Sequence, residues 1–177
     1  MKILIGYASK YGSTQEIAER IAARLVDKGL EIEIRRLDRE VDVTAYDAAV
    51  IGSAVYSGSW MENAVEFARK NRGKLATLPV WLYTVGRLSA QRGVMGKIEW
   101  PSAKEAEELS AVIHPRDSVF FAGAIFEDKL PFVVRTIFAG LGGQYGDFRD
   151  WDEIDVWADG IAEALTKSDD TPTRAAG

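Results

Sequence analysis

KILIGYASKYGSTQEIAERIAARL, residues 2–25, decides the fold. Ile3, Leu4, Ile5 and Tyr7 form a short apolar run bounded by small residues, which reads as a buried strand. Ser13-Thr14-Gln15-Glu16 then opens a helix. Its apolar positions, Ile17, Ile21 and Leu25 with Ala18 and Ala22 beside them, recur at helical spacing, and Gly29 stops it.

The same alternation continues outward. Glu31–Leu37 alternates Ile32 and Ile34 with charges, a strand with one exposed face near a sheet edge. Ala48–Gly52 reads as a second buried strand and Ser53–Ser59 as its loop. A helix carrying Ala64, Val65, Phe67 and Ala68 on its inner side follows, with Gly73 after it. Val80–Thr84 is the next strand, opened by Pro79. Ala103–Ile113 reads as a polar-faced helix and Ser118–Phe126 as the last strand. A final helix from Trp151 to about Leu165 shows Ile154, Trp157, Ile161 and Leu165 at helical spacing. Strands alternating with helices imply a parallel sheet covered on both faces. Five such strands in 177 residues predict one α/β domain, a doubly wound five-stranded parallel sheet over residues 1–167, with 168–177 a disordered tail.

Composition narrows the chemistry. Twenty-two Lys and Arg against 27 Asp and Glu leave a net charge of -5, the wrong sign for a chain that neutralises nucleic-acid phosphates. With no Cys and a single His, His114, there is neither a thiolate nucleophile nor a His-rich metal site. His114 precedes Pro115 ahead of the last strand, at the end of the sheet away from any site. No stretch reaches the roughly 18 apolar residues of a membrane span, and no leader is visible, so a cytoplasmic protein is expected.

In doubly wound sheets ligands bind beyond the C-terminal strand ends. The loop Ser9-Lys10-Tyr11-Gly12-Ser13-Thr14 joins the first strand to the first helix. It combines hydroxyls, a flexible Gly and free helix N–H groups, the donors a phosphate dianion requires. The same residue types also cap helices and make turns. Two further loops lie at the same end, Ala54–Trp60, which carries Tyr56, Ser57 and Gly58, and Thr84-Val85-Gly86-Arg87-Leu88.

Taken together, KILIGYASKYGSTQEIA with its S-x-x-G-x-T turn, VIGSAVYSGSW, VWLYTVGRL and VFFAGAIF resemble the flavodoxin-like family over roughly Met1–Leu165. IGSAVYSGS, HPRDSVFFAGAI, and GG followed by DW and an amphipathic helix are most similar to the menaquinone-dependent protoporphyrinogen dehydrogenases within it. The resemblance implies strand order 2-1-3-4-5 and bound FMN. It puts the phosphate on Ser9, Lys10, Tyr11, Gly12, Ser13 and Thr14. Ala54, Val55, Tyr56, Ser57 and Gly58 would lie beside the flavin ring, and Thr84, Val85, Gly86, Arg87 and Leu88 on its other side. Gly123 and Ala124 would sit close beneath. It implies FMN-dependent transfer of electrons from a small-molecule substrate to a quinone, with contact at the inner face of a membrane. Gly58 and Arg87 are candidates for tuning the flavin. A plain electron-transfer flavodoxin with protein partners, and a flavin-free interaction module of the same fold, stay open. Glu127–Asp150 is shorter and less basic than the insertion of the protoporphyrinogen enzymes, and Arg87–Lys97 need not set an aromatic on the flavin.

Three features have two readings each. Leu130–Leu141 is either a cover packed on the sheet, the commoner fate of apolar helices, or a face for quinone or membrane. Asp147, Asp150, Asp152, Glu153 and Asp155 either steer a basic partner or simply favour a helix start, the simpler reading. Arg87 and Arg92 either serve the site or are solvated.

Overall fold

β1 (Lys2–Ala8) runs parallel between β2 (Glu31–Arg36) and β3 (Ala48–Tyr56). Ile3, Leu4 and Ile5 are fully buried, as an apolar run covered on both faces should be. The structure, a computed structural model, describes residues 1–38, 40–56, 58–86, 104–140 and 143–169. Beyond β3 the sheet turns back through a two-residue antiparallel strand, β4 (Ser59–Trp60), and continues in parallel with β5 (Val80–Gly86) and β6 (Asp117–Ala122). The five parallel strands lie in the order β2-β1-β3-β5-β6. Numbered without the short β4, this is the expected 2-1-3-4-5.

α1 (Ser13–Asp27) and α5 (Trp151–Asp169) cover one face; α2 (Glu62–Leu75) and α3 (Lys104–Ile113) cover the other. Gly29, at φ +82°, ends α1 by donating its N–H to Val26 O at 2.8 Å. Across the α1–α5 seam Arg20 makes a two-pronged contact with Asp155 at 2.7 and 2.6 Å, and Arg24 pairs with Asp159. Asp150 Oδ1 accepts the Glu153 N–H at 3.1 Å, and Asp147 is bonded to Arg149. Asp150 thus caps the start of α5, in line with the simpler reading, whereas Asp147 and Asp155 are ion-paired with arginines. His114 closes α3 at φ +47°, at the N-terminal end of β6.

Several boundaries differ from expectation, among them β5, which runs to Gly86, and α5, which runs to Asp169. β3 continues through Ser53–Tyr56, because Ser53 and Ala54 pair with Thr84 and Val85 before the chain turns into β4. α2 runs through Gly73 to Leu75, where burial of Leu75 outweighs a helical glycine's cost of about 1 kcal/mol. The last strand is not continuous. β6 ends at Ala122, and β7 (Ala124–Ile125) leaves the sheet to pair antiparallel with β8 (Gly146–Asp147). The Gly123 N–H still bonds Gly86 O at 2.9 Å while its carbonyl accepts from Phe148, so the chain pivots there. The expected tail overlaps the end of α5, and residues 170–177 lie outside the described residues.

Gly52 is required by the core. A Cβ there would stand 1.9 Å from Cζ of the fully buried Tyr83 ring, which crosses the backbone of β3. Gly52→Ala is expected to destabilise the protein by about 1–3 kcal/mol through overpacking, read by urea denaturation, and Tyr83→Leu in the same chain should recover part of the loss. Unchanged stability would mean that the ring has room to move.

Candidate functional site

The turn between β1 and α1 is built around Gly12. Ser9 Oγ accepts the Gly12 N–H at 3.0 Å, and Gly12 takes φ +95°, a region a side chain would strain. The first helical bond is Glu16 N–H to Gly12 O at 3.0 Å, so the N–H groups of Ser13, Thr14 and Gln15 stand ahead of the helix ladder. Gly12 has no side chain to cap them. The Thr14 hydroxyl is buried with no hydrogen-bond partner among the described residues. Such an orphan costs about 1–3 kcal/mol. An unmet hydroxyl beside three unmet N–H groups is a donor set suited to a phosphate dianion. Ser13 Oγ accepts the Ala124 N–H at 2.8 Å, leaving its own proton to donate.

An open cavity of about 420 Å³ extends from this turn across the C-terminal ends of the parallel strands. Its volume is in the range of small-molecule sites. Of the expected residues, Ser9, Lys10, Tyr11, Ser13 and Thr14 line one end. Ala54, Val55, Tyr56, Val85, Gly86, Gly123 and Ala124 line the floor and sides. Three described residues do not. Gly12 and Gly58 form turns outside the wall, Gly58 at φ +82° between β3 and β4. Thr84 accepts the Trp60 Nε1–H at 3.0 Å instead, because strand alternation sends Val85 toward the helix α1 side and Thr84 to the other. Ser57, Arg87, Leu88 and Arg92 lie outside the described residues.

The remaining wall is apolar, formed by Ile125, Phe126, Leu130, Val134, Phe138 and Phe148. Val134 and Phe138 belong to α4 (Phe132–Gly140), which has no buried residue. The expectation that Leu130–Leu141 covers the sheet is therefore corrected over the described part of that segment. Leu130, Val134 and Phe138, four apart, face the cavity. Phe132, Val133 and Ile137 point outward, 74%, 67% and 59% exposed. The four-residue spacing was the available signal for this wall. Phe148, on the chain after β8, gives no comparable one.

Charges gather at the rim. Lys10 Nζ stands 5.3 Å from the Tyr11 ring and 6.0 Å from that of Tyr56, and the two rings meet edge to face at 6.2 Å. Desolvation pushes the Tyr56 phenol up to about 12, so it keeps its proton at neutral pH. Arg149, and after it Lys129, hold the Glu16 carboxyl below the usual range. Arg149 does the same to Asp147 while stacking 4.4 Å from the centre of the Trp151 ring. Among the described residues there is no cluster of acidic and imidazole groups able to hold a metal ion, and no helix is long and apolar enough to cross a membrane.

Comparison with known proteins agrees with this architecture. The family model described as Flavodoxin domain matches residues 4–144. Protoporphyrinogen IX dehydrogenase [quinone] of Escherichia coli K12 is 25% identical, over 94% of this chain and 98% of its own. Oxidised flavodoxin 2 from Bacillus cereus superposes with a TM-score of 0.60 at 19% identity, covering 94% of this chain and 99% of that one. A flavodoxin from Streptococcus pneumoniae gives 0.60 at 16% identity, covering 93% and 99%.

Thr14→Val should leave the melting temperature of the ligand-free protein unchanged or raised, since it removes a hydroxyl without a partner. The same change should weaken binding of a phosphate-bearing ligand about tenfold or more, measured by titration. Loss of stability without loss of binding would show that the hydroxyl serves the fold instead.

Proposed function

Since the chain belongs to the flavodoxin domain family and is an FMN-binding oxidoreductase, we propose that it is protoporphyrinogen-dehydrogenase-like, passing electrons from a reduced small-molecule substrate to a quinone. The observation that carries this reading is the apolar wall of Leu130, Val134 and Phe138, continuous with a turn fit to hold phosphate. The fit of the cofactor rests on the orphaned Thr14 hydroxyl and the uncapped start of α1. When bound, FMN supplies redox chemistry that side chains cannot.

The chain's residues bind and orient. The Ser13, Thr14 and Gln15 N–H groups and the Ser9, Ser13 and Thr14 hydroxyls would hold the phosphate. Ala54, Val55, Tyr56 and Gly86 line the stretch of the cavity where a ring system would lie. No carboxylate or imidazole lines the cavity among the described residues, and the side chains that do line it bind and position reactants. Gly58, which takes its positive φ without strain between β3 and β4, would be the residue that tunes the flavin, with Arg87 in the same role. The wall on α4 favours an uncharged, apolar acceptor, because a charged one would lose hydration with no partner there. Support for the acceptor class also comes from the relative, whose name specifies a quinone. The exposed outer face of α4 gives the chain a place to rest on a lipid surface, where apolar quinones reside.

The test uses menadione and cytochrome c as alternative acceptors. Phe138→Asp should lower menadione turnover about tenfold or more while FMN content and melting temperature stay near the parent's. Unchanged menadione turnover, with cytochrome c the faster acceptor for both proteins, would instead favour an electron carrier with protein partners.

A further inference from the structure

Lys129 is absent from the expected phosphate ligands and from the cavity wall, yet it sits between two residues of that wall, Phe126 and Leu130. Its Nζ lies 3.6 Å from the point where a side chain at Gly12 would begin, on the rim of the phosphate turn. It donates to Glu16 Oε1 at 3.0 Å and stands 5.2 Å from the Phe126 ring centre. The lysine side chain is 41% exposed, so its flexible stem can swing with little loss of packing.

Its partner makes the arrangement unusual. Glu16 places a negative charge in the first turn of α1, where a phosphate dianion would meet repulsion. The other carboxylate oxygen of Glu16 is held by Arg149 Nη1. That arginine is fixed, since its side chain is only 5% exposed, it pairs with Asp147 at 2.6 Å and it stacks on Trp151. Glu16 therefore keeps one cation whatever Lys129 does, and Lys129 is the one able to move.

We propose that Lys129 is a ligand of the cofactor phosphate, exchanging Glu16 for the dianion at the Gly12 turn while Arg149 stays paired with Glu16. This rests on the reading of residues 9–14 as an FMN phosphate site. It adds to that turn a cation supplied by the segment between β7 and α4, the same segment that carries the apolar wall.

Titration of FMN and of riboflavin, followed by quenching of flavin fluorescence, tests it without recourse to turnover. Lys129→Gln should weaken FMN about tenfold and leave riboflavin unchanged, with a shallower dependence of FMN affinity on salt. Glu16→Gln, which removes the repelling charge and releases Lys129, should strengthen FMN and leave riboflavin unchanged. Equal weakening of both flavins by Lys129→Gln, an FMN preference that survives it intact, or weaker FMN in Glu16→Gln would each overturn the proposal. A parent protein that binds both flavins alike would instead overturn the phosphate reading of the turn itself.

Discussion

A backbone-to-side-chain hydrogen bond joins the two halves of the site at their point of contact: the Ala124 N–H donates to Ser13 Oγ at 2.8 Å. It ties the start of α1, at the C-terminal end of β1, to the point where the chain leaves the far side of the sheet. The approach is possible because Gly123 has no side chain; a Cβ there would lie 3.1 Å from Val85 Cγ1 and 3.2 Å from Ser13 Oγ. With the chain pivoting at Gly123, β7 turns away from β6 and pairs with β8, opening the edge of the sheet. The cavity, its apolar wall and the Arg149 clamp on Glu16 all follow from that departure.

Much of this was legible from residues 2–25. A buried apolar strand, a hydroxyl-rich turn and a helix with one apolar face specify a parallel α/β layer and locate its ligand end. The turn itself was legible because Ser, Thr and Gly at a helix start serve as donors whichever ligand is bound. The break at Gly123 was not. VFFAGAIF is uniformly apolar, so periodicity cannot distinguish a continuous strand from two strands in different sheets. The role of Leu130–Leu141 was hidden for a related reason. An apolar helix reads as core, and only the three-dimensional placement reveals that Leu130, Val134 and Phe138 face a cavity while Phe132, Val133 and Ile137 face solvent. The direction of Thr84 was not legible either, because strand alternation, not proximity to the strand end, sets which side chain turns into the cavity.

The site divides its work by chemistry. At the turn, unmet backbone and hydroxyl donors would offer affinity for a phosphate with no buried counter-charge in the wall, which avoids the desolvation cost of a buried ion pair. The ionic groups are set behind it. Glu16, Arg149 and Asp147 fasten α1 to β8, and because both carboxyls are held below their ordinary range, that contribution is present at neutral pH and is lost as pH falls through their folded-state values. At the opposite end, α4 supplies hydrocarbon and no charge to the wall. A donor-rich end joined to an apolar end suits a cofactor held tightly beside a substrate held loosely, the division expected when the cofactor carries the chemistry.

The most direct measurement is a crystal structure of the chain with FMN bound. The phosphate should lie within hydrogen-bonding distance of Thr14 Oγ1 and of the N–H groups at the start of α1, with the ring between Ala54–Tyr56 and Val85–Gly86. A phosphate bound elsewhere, with the Thr14 hydroxyl still unpartnered, would contradict the account.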